Sequence, residues 1–243
     1  MNTLSNKKNK TLAIFGAGSG LGASLAMRFG REGYRIALVA RRAEPLAKRA
    51  EELSRQGIEA IVFPADITDL AGIPALVREI EGKAGAIDVA VYSPVTPEVG
   101  FVPALELDAA KLRPIAELFL FAPIELAHAL LPGMLARGDG AFIYGNGLSS
   151  VRTTPGMSGV GPAMAAARNF IFTLNAEAKA HGVYAGAITI GALIEGSAGH
   201  VAMAAAGQPI RYPVIQPSVI ADEVWALVTR RDRVEAIIPE PAK

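Results

Sequence analysis

Two kinds of segment alternate along the chain, and that alternation limits its folds more than any other feature. Seven short runs are apolar and rich in β-branched residues: "TLAIF", "RIALVA", "EAIVF", "DVAVY", "GAFIYG", "YAGAITI" and "EAIIP". Between them lie amphipathic, alanine-rich stretches, at 21–30, 45–56, 73–82, 112–137, 162–181 and 221–230, whose spacing predicts helices. A strand with one wet face alternates apolar and polar residues. These runs are apolar throughout, so both of their faces must be covered. The expected fold is α/β and doubly wound, with a mainly seven-stranded parallel sheet and helices on both faces.

No internal repeat and no Pro/Gly/Ser linker divides the chain. Residues 11–243 are therefore expected to form a single domain, after a flexible polar leader at 1–10 that carries Lys7, Lys8 and Lys10. The longest stretch without a pattern, 195–217, falls between the sixth strand and the last helix. In a doubly wound sheet it would overhang the carboxyl edge of the strands, where ligands bind.

Composition narrows the function. With 51% hydrophobic and 19% charged residues the chain can bury a large core. A net charge of +1 supplies no field to recruit nucleic acid or an anionic membrane, so neither partner is expected. The absence of cysteine excludes disulfides, thiolate catalysis and zinc ribbons, and three isolated histidines make no metal site, so none is expected. "TLAIF" is too short for a signal-peptide core, and no uninterrupted apolar run approaches the ~20 residues that span a bilayer. The cytoplasm is the expected location.

The first strand runs into "GAGSGLGASLA". Gly16, Gly20 and Gly22 follow a GxxxGxG spacing between a strand and a helix, with Gly18, Ser19 and Leu21 interleaved. Without β-carbons, backbone N–H groups approach a phosphate closely, and the helix N-terminus adds partial positive charge. A GxGxxG reading fails at Leu21, and a Walker loop fails for want of a following lysine.

This arrangement resembles the short-chain dehydrogenase/reductase family, over nearly the whole span from Thr11 to Pro239. The resemblance implies a Rossmann-like fold and a nicotinamide dinucleotide. Phe15 stands where the family signature begins with Thr. "LVARR" closes the second strand with Arg41 and Arg42 and no acid. An acid there would bind a ribose 2′-hydroxyl, whereas arginines bond a 2′-phosphate, so NADP(H) is expected over NAD(H). Asp66, with Ile67 beside it, matches the family's acid at the adenine. Tyr92, Ser93, Pro94 and Val95 replace the usual NNAG, and Ser93 is counted with the cofactor positions.

The family's chemistry is carried by Asn, Ser, Tyr and Lys. Tyr handles the proton that accompanies hydride transfer, Lys lowers the Tyr pKa, Ser orients the carbonyl, and Asn anchors a water relay. Here those positions fall on Phe119, Gly147, Val160 and Met164. Neither Val nor Met exchanges a proton, so tyrosine-based acid–base catalysis cannot operate there. Ile190-Gly191 replaces the usual PG after the sixth strand, and Glu195 stands near the Thr that meets the nicotinamide carboxamide. The apolar replacements imply a drier site for a hydrophobic ligand.

Tyr92, His200 and Tyr212 are the candidate proton donors. Asn146, Ser149, Val160, Met164 and Glu195 are the candidate substrate-pocket residues. His128 and His181 show no partner, and Arg152 reads equally as an anion contact or as surface. Three functions follow: an NADP(H)-linked oxidoreductase of a small hydrophobic carbonyl, imine or alkene; a non-redox lyase, isomerase or cyclase on the same scaffold; or a cofactor-binding pseudoenzyme. By resemblance, the long helices at 112–137 and 162–181 pair subunits into a homodimer or homotetramer.

Overall fold

The computed structural model describes residues 10–95, 101–205 and 212–240. All but Lys10 of the expected leader, and positions 206–211 of the overhanging segment, lie outside the described residues. Each apolar run forms a strand: β1 (Thr11–Phe15), β2 (Arg35–Ala40), β3 (Ala60–Pro64), β4 (Ile87–Tyr92), β5 (Gly140–Gly147), β6 (Val183–Ile190) and, last in the chain, β9 (Glu235–Ile238). They make one seven-stranded parallel sheet in the order β3-β2-β1-β4-β5-β6-β9. The order reverses between β1 and β4. At such a switch point two connections leave in opposite directions and open a crevice at the carboxyl edge.

Helices cover both faces. α1 (Leu21–Gly30), α2 (Ala43–Ser54) and α8 (Pro217–Arg230) enclose one core with Leu12, Ile14, Ile36, Leu38 and Ile143. The other core lies beneath α3 (Ile73–Ala84), α4 (Ala109–Ala116), α5 (Ala122–Arg137) and α6 (Val160–Ala178). In α6 the buried residues Val160, Ala163, Ala167, Ile171, Leu174 and Ala178 recur every three or four positions, the stripe of a helix laid on a sheet. Local chemistry sets several ends: the Asp108 carboxylate accepts from the Lys111 N–H at α4, and Gly138, at φ +64°, closes α5.

The helix expected as one piece over 112–137 is broken. A π-helical turn, Glu117–Phe121, separates α4 from α5, and Pro123 is its cause. The Ala122 N–H reaches back five residues to Glu117. Pro123 has no N–H to offer the next carbonyls. Two buried tyrosines supply the missing donors: the Tyr92 hydroxyl donates to the Leu118 carbonyl, and Tyr144 donates to Phe119 at 2.7 Å. Their rings stack with centroids 6.1 Å apart.

The helical run Ala109–Arg137 contains an 18-residue window of mean hydropathy 1.7, long and apolar enough to cross a membrane by length and composition alone. The expectation of no such stretch counted only unbroken apolar residues, and this run carries Glu117 and Glu125. Leu118, Phe119, Leu126, Leu130 and Met134 face the core.

The overhanging segment is more regular than expected. β7 (Leu193–Ile194) pairs in parallel with β8 (Val214–Ile215), and α7 (Ala198–Ala205) lies between them in sequence.

Candidate cofactor and active site

The glycine turn sits at the reversal of strand order. Gly16 has φ +97°, and a β-carbon there would stand 2.5 Å from the Pro94 nitrogen, so the turn passes hard against the chain leaving β4. A β-carbon on Gly22 would come within 2.8 Å of the Ala17 Cα. The Gly16 and Ala17 N–H groups both donate to the Val39 carbonyl, at 2.9 and 3.0 Å. Gly18 is open: a β-carbon there would meet nothing nearer than the Gly16 carbonyl, at 3.9 Å. α1 starts at Gly20 and Leu21 with no side-chain cap and no acid in its first turn. Its leading amides and dipole are thus left for an anion.

The other residues expected to hold the cofactor follow β2, β3 and β4 on the same edge. Arg41 and Arg42, both exposed, follow β2 and have no ion-pair partner among the described residues. The Thr68 N–H and hydroxyl donate to Asp66 Oδ1 at 3.0 and 2.7 Å. These bonds, helped by the charge of Arg41, hold the Asp66 carboxyl below the usual range. Ile67 is buried. Ser93 Oγ is buried without a partner, as a group awaiting a ligand would be. A glycine-rich turn, an uncapped helix, two arginines without an ion-pair partner among the described residues and an orphaned hydroxyl fit a dinucleotide.

Two of the four expected tetrad positions meet. The Gly147 N–H donates to the Met164 sulfur at 3.3 Å, and a β-carbon on Gly147 would lie 3.5 Å from that sulfur and 3.7 Å from Ser149 Oγ. Phe119 and Val160, however, belong to the core and are 3% and 9% exposed. They pack in the core with Leu118 and Ala163. Met164, partly buried, is the one that reaches Gly147.

Tyr92 needs a correction. It is fully buried and its hydroxyl is committed to Leu118, so it does not face the cleft. Burial, with Tyr144 and Asp66 nearby, pushes its pKa well up. His200 is half-buried on α7, and its Nδ1 accepts the Gly196 N–H at 3.2 Å. In the neutral ring the proton then sits on Nε2. Tyr212 is half-exposed, and Glu195, exposed, accepts from the Gln216 amide. The overhanging segment rests on the glycine turn: the Ser19 hydroxyl donates to the Gly196 carbonyl at 3.1 Å.

Sequence reasoning placed Asn146 but missed its support. Asn146 is 4% exposed, and its Nδ2 donates to Thr189 Oγ1 at 2.9 Å. Thr189 donates to Glu235 Oε1 at 2.6 Å, and Arg168 grips that carboxylate with two bonds of 2.7 and 2.6 Å. Asn146 Oδ1 and Ser150 Oγ are left buried and unpaired. The readable signal was an acid, Glu235, opening an otherwise apolar strand. Two clefts of about 270 and 280 Å³ lie elsewhere, one at the amino edge around Tyr34, Asp88 and Asp139, the other between α1 and α2. Among the described residues no three His, Cys, Asp or Glu side chains gather.

A parallel sheet that reverses at β1 and β4, with an uncapped, glycine-lined helix start at the reversal, defines a dinucleotide-binding α/β protein. A family model described as short chain dehydrogenase matches residues 10–199, and the chain belongs to that family. It is 31% identical over 147 residues to a fatty acyl-CoA reductase of Mycobacterium tuberculosis, covering 55% of this chain and 46% of the relative. A fatty acyl-CoA reductase of Acinetobacter baylyi is 27% identical over 231 residues, covering 94% of this chain and 76% of the relative. The chain thus spans about half the length of the first of these. In fold it is similar to an L-sorbose reductase of Gluconobacter frateurii, solved with NADPH and L-sorbose, with a TM-score of 0.82, 24% identity and 95% of each chain covered. A metagenomic short-chain oxidoreductase solved with NADP gives a TM-score of 0.79 at 22% identity, covering 95% of this chain and 96% of that one.

Proposed function

We propose that the chain is an NADP(H)-binding oxidoreductase acting on a small hydrophobic carbonyl, imine or alkene without a Tyr/Lys acid–base pair. The observation that carries this reading is the contrast within one edge. Gly18 stands open and α1 starts uncapped, with Arg41 and Arg42 unpaired among the described residues, while Gly147 and Met164 face each other with no proton to exchange. The names of the relatives point the same way, since reductases and NADP-bound structures recur among them.

When bound, the dinucleotide supplies or accepts hydride. The chain's part is then to hold and orient. Glycine-turn amides and the α1 N-terminus would hold the pyrophosphate, Arg41 and Arg42 the 2′-phosphate, Asp66 the adenine, and Ser93 would line the cleft floor. The substrate oxygen takes its proton from solvent, from His200 Nε2 or from Tyr212, the two candidates whose side chains are not sealed in the core. Oxidation of NADPH in proportion to product, across hydrophobic ketones, aldehydes and imines, tests the reading. A silent panel with NADPH bound contradicts it.

That silent outcome is the second reading, a cofactor-binding pseudoenzyme. The commitment of both Tyr92 and Tyr144 to backbone carbonyls favours it, because both of these buried hydroxyls are structural. In both readings the chain is one domain, cytoplasmic, and paired through α5 and α6 as a homodimer or homotetramer. Sedimentation of the full chain checks the assembly.

A further inference from the structure

Exposed apolar side chains are unevenly spread over the molecule. Ten large hydrophobic side chains are exposed among the described residues, and seven lie on connections leaving the carboxyl ends of β4, β5 and β6. Those strands are neighbours, so their connections share one stretch of the sheet edge. Val95, Phe101 and Leu105 follow β4, and Leu105 is completely exposed. Val151 follows β5, and Val201, Tyr212 and Val214 follow β6. Single exposed hydrophobics are ordinary, whereas a group gathered around one opening marks a binding surface.

The neighbours of these residues identify the opening. Val95 lies two positions beyond Ser93, and Val151 directly follows Ser150. The Ser158 N–H donates to the Val102 carbonyl at 3.0 Å, which pins Phe101 beside the start of α6 and the emptied position at Val160. Val214 pairs with Leu193 in the small sheet that leads into Gly196, which Ser19 holds. The apolar side chains therefore ring the edge that carries the glycine turn, Asn146 and Met164. Beneath them Phe119 and Val160 close the interior. Among the described residues, an apolar ligand has this rim to lie against.

We propose that this rim binds the apolar tail of an amphiphilic, straight-chain aliphatic substrate whose polar head enters beside Met164. The inference rests on the oxidoreductase reading for the word substrate. The outer two of three neighbouring strands stand about 10 Å apart, the reach of about eight extended methylenes. A second copy of the chain seated permanently here would close the edge at which ligands of such sheets bind. Exposed Glu106, Arg152 and Glu195 interrupt the rim and oppose its burial in a bilayer.

The test measures binding and needs no turnover. Primary alcohols of four to twelve carbons are titrated calorimetrically into the full chain with NADP⁺ present, for the wild type and for Phe101→Asp/Leu105→Asp. Each added methylene should tighten wild-type binding by up to about fourfold. In the double variant the gain per carbon should flatten, with NADPH affinity and the unfolding midpoint unchanged. A flat wild-type series overturns the proposal, as does a slope that survives in the variant. Loss of an assembly in the variant by sedimentation would make the rim a subunit interface. Vesicle flotation on phosphatidylcholine without a chain-length slope would make it a membrane surface. Either overturns the proposal. A slope without NADPH binding sinks the oxidoreductase reading and leaves the aliphatic site standing.

Discussion

Thr189 decides which way Asn146 faces. A hydroxyl has one hydrogen to give, and a carboxylate only accepts. With that hydrogen directed at Glu235 over 2.6 Å, Thr189 can only accept from Asn146, so the amide nitrogen turns toward it. Asn146 Oδ1 is left unpaired at the end of β5, one residue before Gly147. The arrangement is held from the far side by Arg168, whose guanidinium also lies 4.3 Å from the Phe172 ring centroid. Thr189→Val is expected to cost about 2 kcal/mol in urea unfolding, since Asn146 and Glu235 each lose a buried partner, while Thr189→Ser keeps both bonds and costs about 1 kcal/mol for the buried methyl it removes. Tyr144→Phe is expected to cost about 1–3 kcal/mol by the same measurement, because it orphans the Phe119 carbonyl, and to leave NADPH affinity unchanged. Single residues were the least legible scale in the sequence. Spacing put Gly147 opposite Met164, but no pattern announces that Thr189, Glu235 and Arg168 converge from three elements. Tyr92 was visible as a strand-end tyrosine, and only the packed structure shows its hydroxyl spent on a carbonyl.

Within the elements, the glycine turn separates two effects that sequence alone merges. Gly16 is required by the fold: it combines φ +97° with a 2.5 Å approach to Pro94 backbone. Gly18 stands in the open. Gly16→Ala should therefore destabilise by about 3 kcal/mol or more, read from the urea midpoint. Gly18→Ala should leave stability within about 1 kcal/mol and weaken NADPH binding by crowding the phosphate. The strands and their order-reversing connection were readable because period and burial dictate them. Strand runs apolar on both faces admit few arrangements besides a covered parallel sheet. The break between α4 and α5 was readable in principle, since Pro114 and Pro123 bracket "IAELFLFA", but hydrophobic spacing ran on through it. β7, β8 and α7 were hidden because their residues are small or exposed and show no period of their own.

At the scale of the whole molecule, two kinds of titration bound the stable range. Asp66 and Asp139 have carboxyls held below the ordinary range, by hydrogen bonds from Thr68 and by Arg231 against the cost of burial respectively. Such groups stabilise the fold above their unfolded pKa, and that contribution is lost as pH falls through about 4 and below. Burial raises Tyr34 and Tyr184 to about 12, and pushes Tyr92 and Tyr144 up as well. Between pH 10 and 12 the unfolded chain therefore ionises first. Stability should fall there by about 1.4 kcal/mol per pH unit for each fully buried tyrosine. A urea midpoint that is level from pH 5 to 9 and declines beyond both limits fits this account, and a midpoint still rising at pH 11 contradicts it. The central claim is that a chain without its family's acid–base residues keeps its NADP(H) site. A fluorescence titration of the full chain with NADPH and NADH, repeated on Arg41→Glu/Arg42→Glu, tests it most directly. The account predicts NADPH binding at least tenfold tighter than NADH, with the preference lost in the variant. Binding of neither nucleotide, or a preference for NADH in the wild type, would contradict it.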